Sequence, residues 1–334
     1  MTKGAGTIRP FFRARLEQGR KSWHPARVMT ETSIYQPKRA MHAAIASIVT
    51  VSVLIIIKTI ALLMTGSVSI LASLIDSLSD AVVSAMNALA IHISLLPADK
   101  NHRHGHGKVE GLAALIQAAF ITGAGVFLAL ESVRRLAEPQ DIQAHGVAII
   151  VMAIAIVLSI GLVMVQNHIL RAAPSLAVQA DRAHYSSDIV VNGGVIAALA
   201  VQSMGGPWWI DPVFALGVAG WLGWLAWGIG RQGIDMLLDR ELPRETRARI
   251  EAIIRAEPRI HGIHDLRTRA SGMQIYIYFD VELDPDMKLM HAHDITRDIE
   301  IALVREFPNA EVMIHMDPLG DIDDSRHSVP GVHH

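Results

Sequence analysis

The sequence predicts an α-helical membrane protein with six transmembrane helices, followed by a small α+β domain of the order helix–strand–strand–helix–strand. Three observations carry this. Between residues 40 and 232 the apolar residues come in blocks of about 20, the length that crosses a bilayer. Only 19% of the 334 residues are charged and 51% are hydrophobic, whereas a soluble chain has about a quarter charged. From Leu242 onward the charge density is that of a soluble domain, and Ile275, Ile277, Phe279, Val281 and Leu283 alternate strictly, as in a strand with one buried face. The chain has no cysteine, which excludes disulfides and any thiolate metal site. Its net charge of −2 gives no reason to expect a nucleic acid partner.

Residues 1–39 hold Lys3, Arg9, Arg13, Arg15, Arg20, Lys21, Arg27, Lys38 and Arg39 against Glu17 and Glu31. They read as a basic tail on the cytoplasmic side; no apolar core of a secretory signal is seen. The membrane domain is expected over 40–232. Span one covers about Ala43–Met64, with Lys58 its one charge, and span two about Ile70–Leu95, ended by Pro97. Ser73, Asp76, Ser77, Asp80, Ser84 and Asn87 form a polar stripe along span two at helical spacing. Span three is placed at about Leu112–Leu130. Span four, about Val147–Val165, is apolar all round and reads as lipid-facing. Span five covers about Ala177–Val201. Span six, about Pro212–Ile229, carries Gly217, Gly220, Gly223 and Gly228, small residues that permit close helix approach. Six spans put both termini on one side. That side holds Lys38, Arg39, Lys100, Arg103, Lys108, Arg171 and Arg231, and the positive-inside rule makes it the cytoplasm.

A soluble domain is expected over 243–318. Pro243 opens a helix that Pro258 closes; His264–Arg269 reads as a short strand, His293–Phe307 as an amphipathic helix and Glu311–His315 as a last strand. Residues 319–334 read as a disordered tail.

Two stretches carry the chemistry. Asp76 and Asp80 stand at i, i+4 in span two, and His184 and Asp188 do so in span five, so each pair shares a helix face. A charged side chain at mid-bilayer costs about 2.5–3.5 kcal/mol on insertion scales, so such pairs face a protein interior and meet a cation there. A lone intramembrane Asp also serves as a proton relay or helix–helix hydrogen bond. Three carboxylates and one imidazole make a four-ligand site for a divalent metal. After span two, Asp99, His102 and His106 lie in a loop that Gly105 and Gly107 let fold tightly around one ion; a solvated polar loop is the bland alternative. The soluble domain offers His264, Asp280, His293, His315 and Asp317 on neighbouring strand ends, the last two on one strand face.

In order along the chain, Gly66-Ser67-Val68-Ser69-Ile70-Leu71, Asp76-Ser77-Leu78-Ser79-Asp80, Pro97-Ala98-Asp99-Lys100-Asn101-His102, Gly105-His106-Gly107-Lys108, His184-Tyr185-Ser186-Ser187-Asp188, Leu237-Leu238-Asp239-Arg240 and His264-Asp265-Leu266-Arg267-Thr268-Arg269 resemble the cation diffusion facilitator family of bacterial zinc and ferrous-iron efflux transporters. The resemblance runs from about Ala40 to Pro318. It implies six membrane helices, a metallochaperone-like cytoplasmic domain and a homodimer. It also implies that Asp76, Asp80, His184 and Asp188 form the transport site, and that Asp99, His102 and His106 form a loop site. His264, His293, His315 and Asp317 would form a binuclear cytoplasmic site, with Asp280 where some zinc-efflux members have a histidine. Lys108 and Asp239 match a charge pair near the dimer interface.

The expectation is therefore a proton-coupled exporter in a bacterial inner membrane, not an enzyme. Zinc is its first-choice ion, with Fe²⁺, Cd²⁺ and Co²⁺ admitted by the same ligands. The other classes are a membrane metalloenzyme, for which the H-E-x-x-H pattern is absent, and a metal sensor or scaffold that moves no ion.

Overall fold

The computed structural model describes residues 38–66, 68–138, 146–205 and 207–320; the tails expected at 1–39 and 319–334 fall almost wholly outside them. Six long helices come first: α1 (Lys38–Thr65), α2 (Val68–Ser94), α3 (Val109–Ala137), α4 (Gly146–Ala172), α5 (Leu176–Ser203) and α6 (Ile210–Leu237). All but α5 are long and apolar enough to cross a membrane. The fifth matches them in length, but Asp181, Arg182, His184 and Asp188 lower its hydropathy.

The helices outrun their apolar cores because charges beyond the core find partners. At the end of α3, Arg135 bonds Glu131 at 3.0 Å, one turn back, and reaches Asp211 on α6 at 3.3 Å. Gly66 ends α1 at φ +60°, donating its N–H to the Leu62 carbonyl at 2.8 Å. This left-handed cap conformation suits glycine best. The start of α5 is capped by an acid from another helix. Glu110, fully buried in α3, accepts from the Leu176 N–H at 2.8 Å and from the Ser175 hydroxyl at 2.7 Å. The positive end of a helix and its unpaired N–H groups offset the burial of that carboxylate.

Two sequence expectations change here. Span four is not lipid-facing all round: Val151, Ala155, Ser159, Leu162, Gln166 and Ile169 form a buried stripe along which α4 meets α1 and α5. On α6, Gly217, Gly220, Gly223 and Gly228 have open space at the Cβ position. The close crossing uses Gly233 instead. A Cβ there would lie 2.8 Å from the Gly111 carbonyl oxygen, and one on Gly111 would lie 3.1 Å from that of Gly233. This backbone contact joins α3 to α6, the most extensive helix pair among the described residues.

The remaining elements are α7 (Arg244–Arg255), β1 (Gly262–Ser271), β2 (Gln274–Leu283), α8 (Leu289–Glu306) and β3 (Ala310–Pro318). The sheet order is β1-β2-β3, with β1 and β2 antiparallel and β2 and β3 parallel. Ile277, Phe279, Val281 and Leu283 point from β2 into a core closed by Ile250 and Ile254 of α7 and Ile295, Ile299 and Leu303 of α8. Both helices thus cover one sheet face. β1 is longer than the sequence suggests, pairing with β2 on both sides of a register shift between His264 and Arg267, where Asp265 sits at φ 51°.

The turn of this hairpin rests on the loop after α2. Any Cβ on Gly107 would fall 2.2 Å from the Ser271 carbonyl oxygen, and the Tyr276 hydroxyl donates to the His104 carbonyl at 2.6 Å.

Replacing Gly233 with Leu is expected to separate α3 from α6. A loss of about 1–3 kcal/mol follows from overpacking a contact that has no room. Thermal unfolding of the purified protein in detergent measures it, and Gly217→Leu should change the midpoint far less.

Candidate metal centre

Three groups of side chains with metal-ligating chemistry stand out among the described residues: Asp80 with His184 and Asp188, Asp99 with His102 and His106, and His264 with Asp280 and Asp317. Within each group the ligand atoms lie within 4.8 Å of one another.

In the first, the His184 Nε2 lies 3.0 Å from Asp80 Oδ1 across the α2–α5 interface and 3.8 Å from Asp188 Oδ2 on its own helix. The helical spacing aims His184 and Asp188 one above the other. The Tyr185 hydroxyl bonds Ser84 Oγ of α2 at 2.9 Å, which fixes the facing of the two helices next to the group. Asp76 lies one turn before Asp80, is exposed, and does not join the group. The fourth expected ligand is thus not brought to the other three.

Sequence reasoning passed over Asp181, one turn before His184. Its buried carboxylate takes hydrogen bonds from Ser47 of α1 at 2.5 Å, Asn87 of α2 at 3.1 Å and Gln166 of α4 at 2.7 Å. The one available signal was an acid at i−3 from His184; its partners on three other helices carry no pattern of their own.

In the loop, Asp99 Oδ1 accepts from the backbone N–H of Asn101 at 2.8 Å and of His102 at 2.6 Å. These two bonds hold the Asp99 carboxyl below the usual carboxylate range, that from His102 contributing most. His102 Nδ1 lies 3.3 Å from Asp99 Oδ1 and His106 Nε2 lies 3.4 Å from Asp99 Oδ2. Gly105, at φ +74°, makes the reversal between the two histidines.

On the sheet face opposite the helices, His264 Nε2 lies 3.4 Å from Asp317 Oδ2, His264 Nδ1 lies 3.8 Å from Asp280 Oδ2, and His315 Nε2 lies 3.0 Å from Asp317 Oδ1. Register explains the grouping: Asp280 pairs with His264 on one side and His315 on the other, and Glu282 pairs with Asp317. Glu282, which spacing alone did not single out, comes within 4.0 Å of His264. His293, exposed at the start of α8, is outside the group.

Lys108 and Asp239 do meet: Lys108 Nζ bonds Asp239 Oδ2 at 2.9 Å, and Arg269 of β1 bonds the other carboxylate oxygen at 3.2 Å. Asp239 thereby joins the foot of α3, the end of α6 and the hairpin. The Arg269 guanidinium also lies 4.3 Å from the Tyr276 ring centroid.

The sequence matches two family models in tandem, the cation efflux transmembrane domain over residues 44–238 and the cation efflux protein cytoplasmic domain over residues 242–319. The chain belongs to the cation efflux family. It is similar to the cation-efflux pump FieF of Shewanella oneidensis, with 43% identity covering 87% of this chain and 98% of that one. The FieF pump of Klebsiella pneumoniae is 44% identical over 83% of this chain and 92% of its own. The metal-bound C-terminal domain of the CzcD transporter from Thermotoga maritima is 29% identical, with 25% of this chain and all of that one covered at a TM-score of 0.23. The protein is an integral membrane transporter for cation efflux and not an enzyme. Its cargo class is the divalent metals.

Partial burial would raise the Asp239 carboxyl, but the hydrogen bonds from Lys108 and Arg269 outweigh it and hold the group below its usual range. A depressed folded value means stability present above the unfolded value of about 4 and lost as pH falls through the folded one. The pair is about two-fifths exposed, so Asp239→Asn should cost less than about 1 kcal/mol at pH 7. Its unfolding midpoint should converge on the wild-type one as pH drops below about 4. Thermal unfolding against pH checks both.

Proposed function

We propose that the protein exports zinc from the cytoplasm by exchange with protons, through a site between α2 and α5. The observation that carries this reading is the meeting of Asp80, His184 and Asp188 across two spans. Three ionisable groups within membrane helices are retained only at a cost that a cation offsets. Asp76 is the fourth donor in this reading: it precedes Asp80 by one turn and shares its helix face. One nitrogen and three oxygens suit tetrahedral zinc and also admit Fe²⁺, Cd²⁺ and Co²⁺.

The same donors suit proton exchange. Imidazole and carboxylate bind a metal only when deprotonated, so each arriving proton weakens the site. Alternating access then needs α2 and α5 to part on one side at a time. In this chain the two helices meet less extensively than α2 does with α1 or α3, or α5 with α3, α4 or α6. The basic loops favour a cytoplasmic location for both termini, and the FieF relatives of Shewanella and Klebsiella favour the inner membrane of a bacterium.

The protein works as a homodimer in this reading. The group of His264, Asp280, His315 and Asp317, with Glu282 beside it, holds metal and draws two cytoplasmic domains together; His293 completes it only in that assembly. Lys108 and Asp239 hold the hairpin against the membrane domain while this happens. Asp99, His102 and His106 bind a further ion in the loop on which the hairpin rests. Domain limits of 40–232 for the membrane part and 243–318 for the cytoplasmic part follow from this division of labour.

In zinc-loaded proteoliposomes with an acidic exterior, wild-type zinc efflux is expected to rise above that without a gradient. Asp80→Ala should lose at least about a hundredfold of it, the loss of one ligand from a small site, while remaining dimeric on size exclusion. Near-wild-type flux in the variant would reject the site.

The His315→Ala, Asp317→Ala double variant should keep part of the flux yet lose the zinc-dependent approach of the two cytoplasmic domains. Spin labels placed one on each domain read that distance directly; a wild-type response to zinc would count against the bridging role.

A further inference from the structure

Lys58 is the one charge in the core of α1, and it is 6% exposed. Its ammonium is pinned to α2 by two acceptors. Nζ donates to the Ser73 carbonyl at 2.9 Å and to the Ser77 hydroxyl at 2.6 Å. Ser73 and Ser77 each stand three residues before an acid, Asp76 and Asp80, so the two serines and two aspartates occupy adjoining rows of one helix. Through these two bonds Lys58 is held against the helix that carries Asp76 and Asp80, and among the described residues their charges and that of Asp188 on α5 bear on it. Lys58 therefore belongs to the charge set of the α2–α5 site without ligating anything in it.

We infer that Lys58 is a tethered counter-cation that sets the valence of the ion the site accepts. This rests on the assignment of Asp76, Asp80, His184 and Asp188 as the transport site. Asp181 is answered by its own donors from α1, α2 and α4; with His184 neutral, the remaining three carboxylates against one ammonium leave two net negative charges. A divalent ion cancels them, and the loaded site is neutral. In a low-dielectric interior, departure from neutrality in either direction is costly. A trivalent ion leaves a positive site, and a monovalent ion a negative one. Were Lys58 only a pin between α1 and α2, a neutral donor of similar length would replace it without changing which ions bind. As a counter-cation it is not replaceable in that way: without its charge the site holds three negative charges, favours a trivalent ion and releases a divalent one slowly.

Lys58→Gln separates the two roles, since the amide keeps a donor for Ser73 and Ser77 and loses the charge. Lys58→Arg keeps the charge. The measurement is zinc flux into proteoliposomes with La³⁺ as competitor. For Lys58→Gln the half-inhibitory La³⁺ concentration, relative to the zinc KM, is expected to fall at least about tenfold, the effect of one unit charge at short range. The zinc KM should fall together with the maximal rate. Lys58→Arg should keep the wild-type ratio.

A wild-type La³⁺ ratio in Lys58→Gln overturns the inference. Should that variant carry no flux, equilibrium displacement of bound zinc by La³⁺ reads the same ratio, in a background with His102, His106, His315 and Asp317 replaced by Ala; an unchanged ratio there overturns it equally. Asp80→Ala is run alongside. Full flux in Asp80→Ala rejects the site itself, whereas a silent Asp80→Ala with an unchanged ratio in Lys58→Gln rejects only the role of Lys58.

Discussion

Charge inside a bilayer must be answered by charge or by hydrogen bonds, and the membrane domain is arranged around that requirement. Three acids of these helices meet it differently. Glu110 caps the start of α5, and Asp181 gathers donors from three other helices. Asp80 has only the His184 imidazole within hydrogen-bond reach among the described residues. The first two are satisfied by the protein alone. The third is left with capacity for an ion. The proposed site acid thus differs from the structural acids in how completely the fold satisfies it.

Much of this was legible in the sequence, and the reason differs from element to element. The strand Gln274–Leu283 announced itself because a period of two over alternating apolar residues has one physical meaning. Span four reads as lipid-facing because Ser159 is an isolated polar residue in an apolar run and Gln166 falls just past its expected end. Their significance lies in partners such as Ser47, more than a hundred residues away. The glycine stripe of span six permits close approach, but the contact inside the chain is made elsewhere. Small residues permit contact, but whether a neighbour arrives depends on which helix packs there, and it arrives at Gly233. At the site, i, i+4 spacing singled out His184 and Asp188, which one helix places together. Spacing within a helix did not reveal that Asp76 would stand apart, nor that register would bring Glu282 towards His264.

The cytoplasmic domain meets the membrane part through small, specific contacts. Gly107 lies against Ser271, Tyr276 bonds the backbone of His104, and Asp239 takes Lys108 and Arg269 together. Histidines 102, 104 and 106 alternate along this loop. The carbonyl of the middle one receives the hairpin, while the outer two lean on Asp99. One short segment therefore presents a metal-ligating edge and a docking edge to different parts of the same chain.

The crossing of Gly111 and Gly233 has a consequence for how the protein feels its membrane. Helices of 28 and 29 residues run about 42 Å at 1.5 Å per residue, and the hydrocarbon layer is about 30 Å thick. A single helix absorbs such an excess by tilting on its own. Two helices in backbone contact cannot tilt independently without breaking it. A change in bilayer thickness is therefore transmitted to α3 and α6 as a common lean. The ends that carry Lys108 and Asp239 share any such lean, and the hairpin bonded to Asp239 through Arg269 shares it with them.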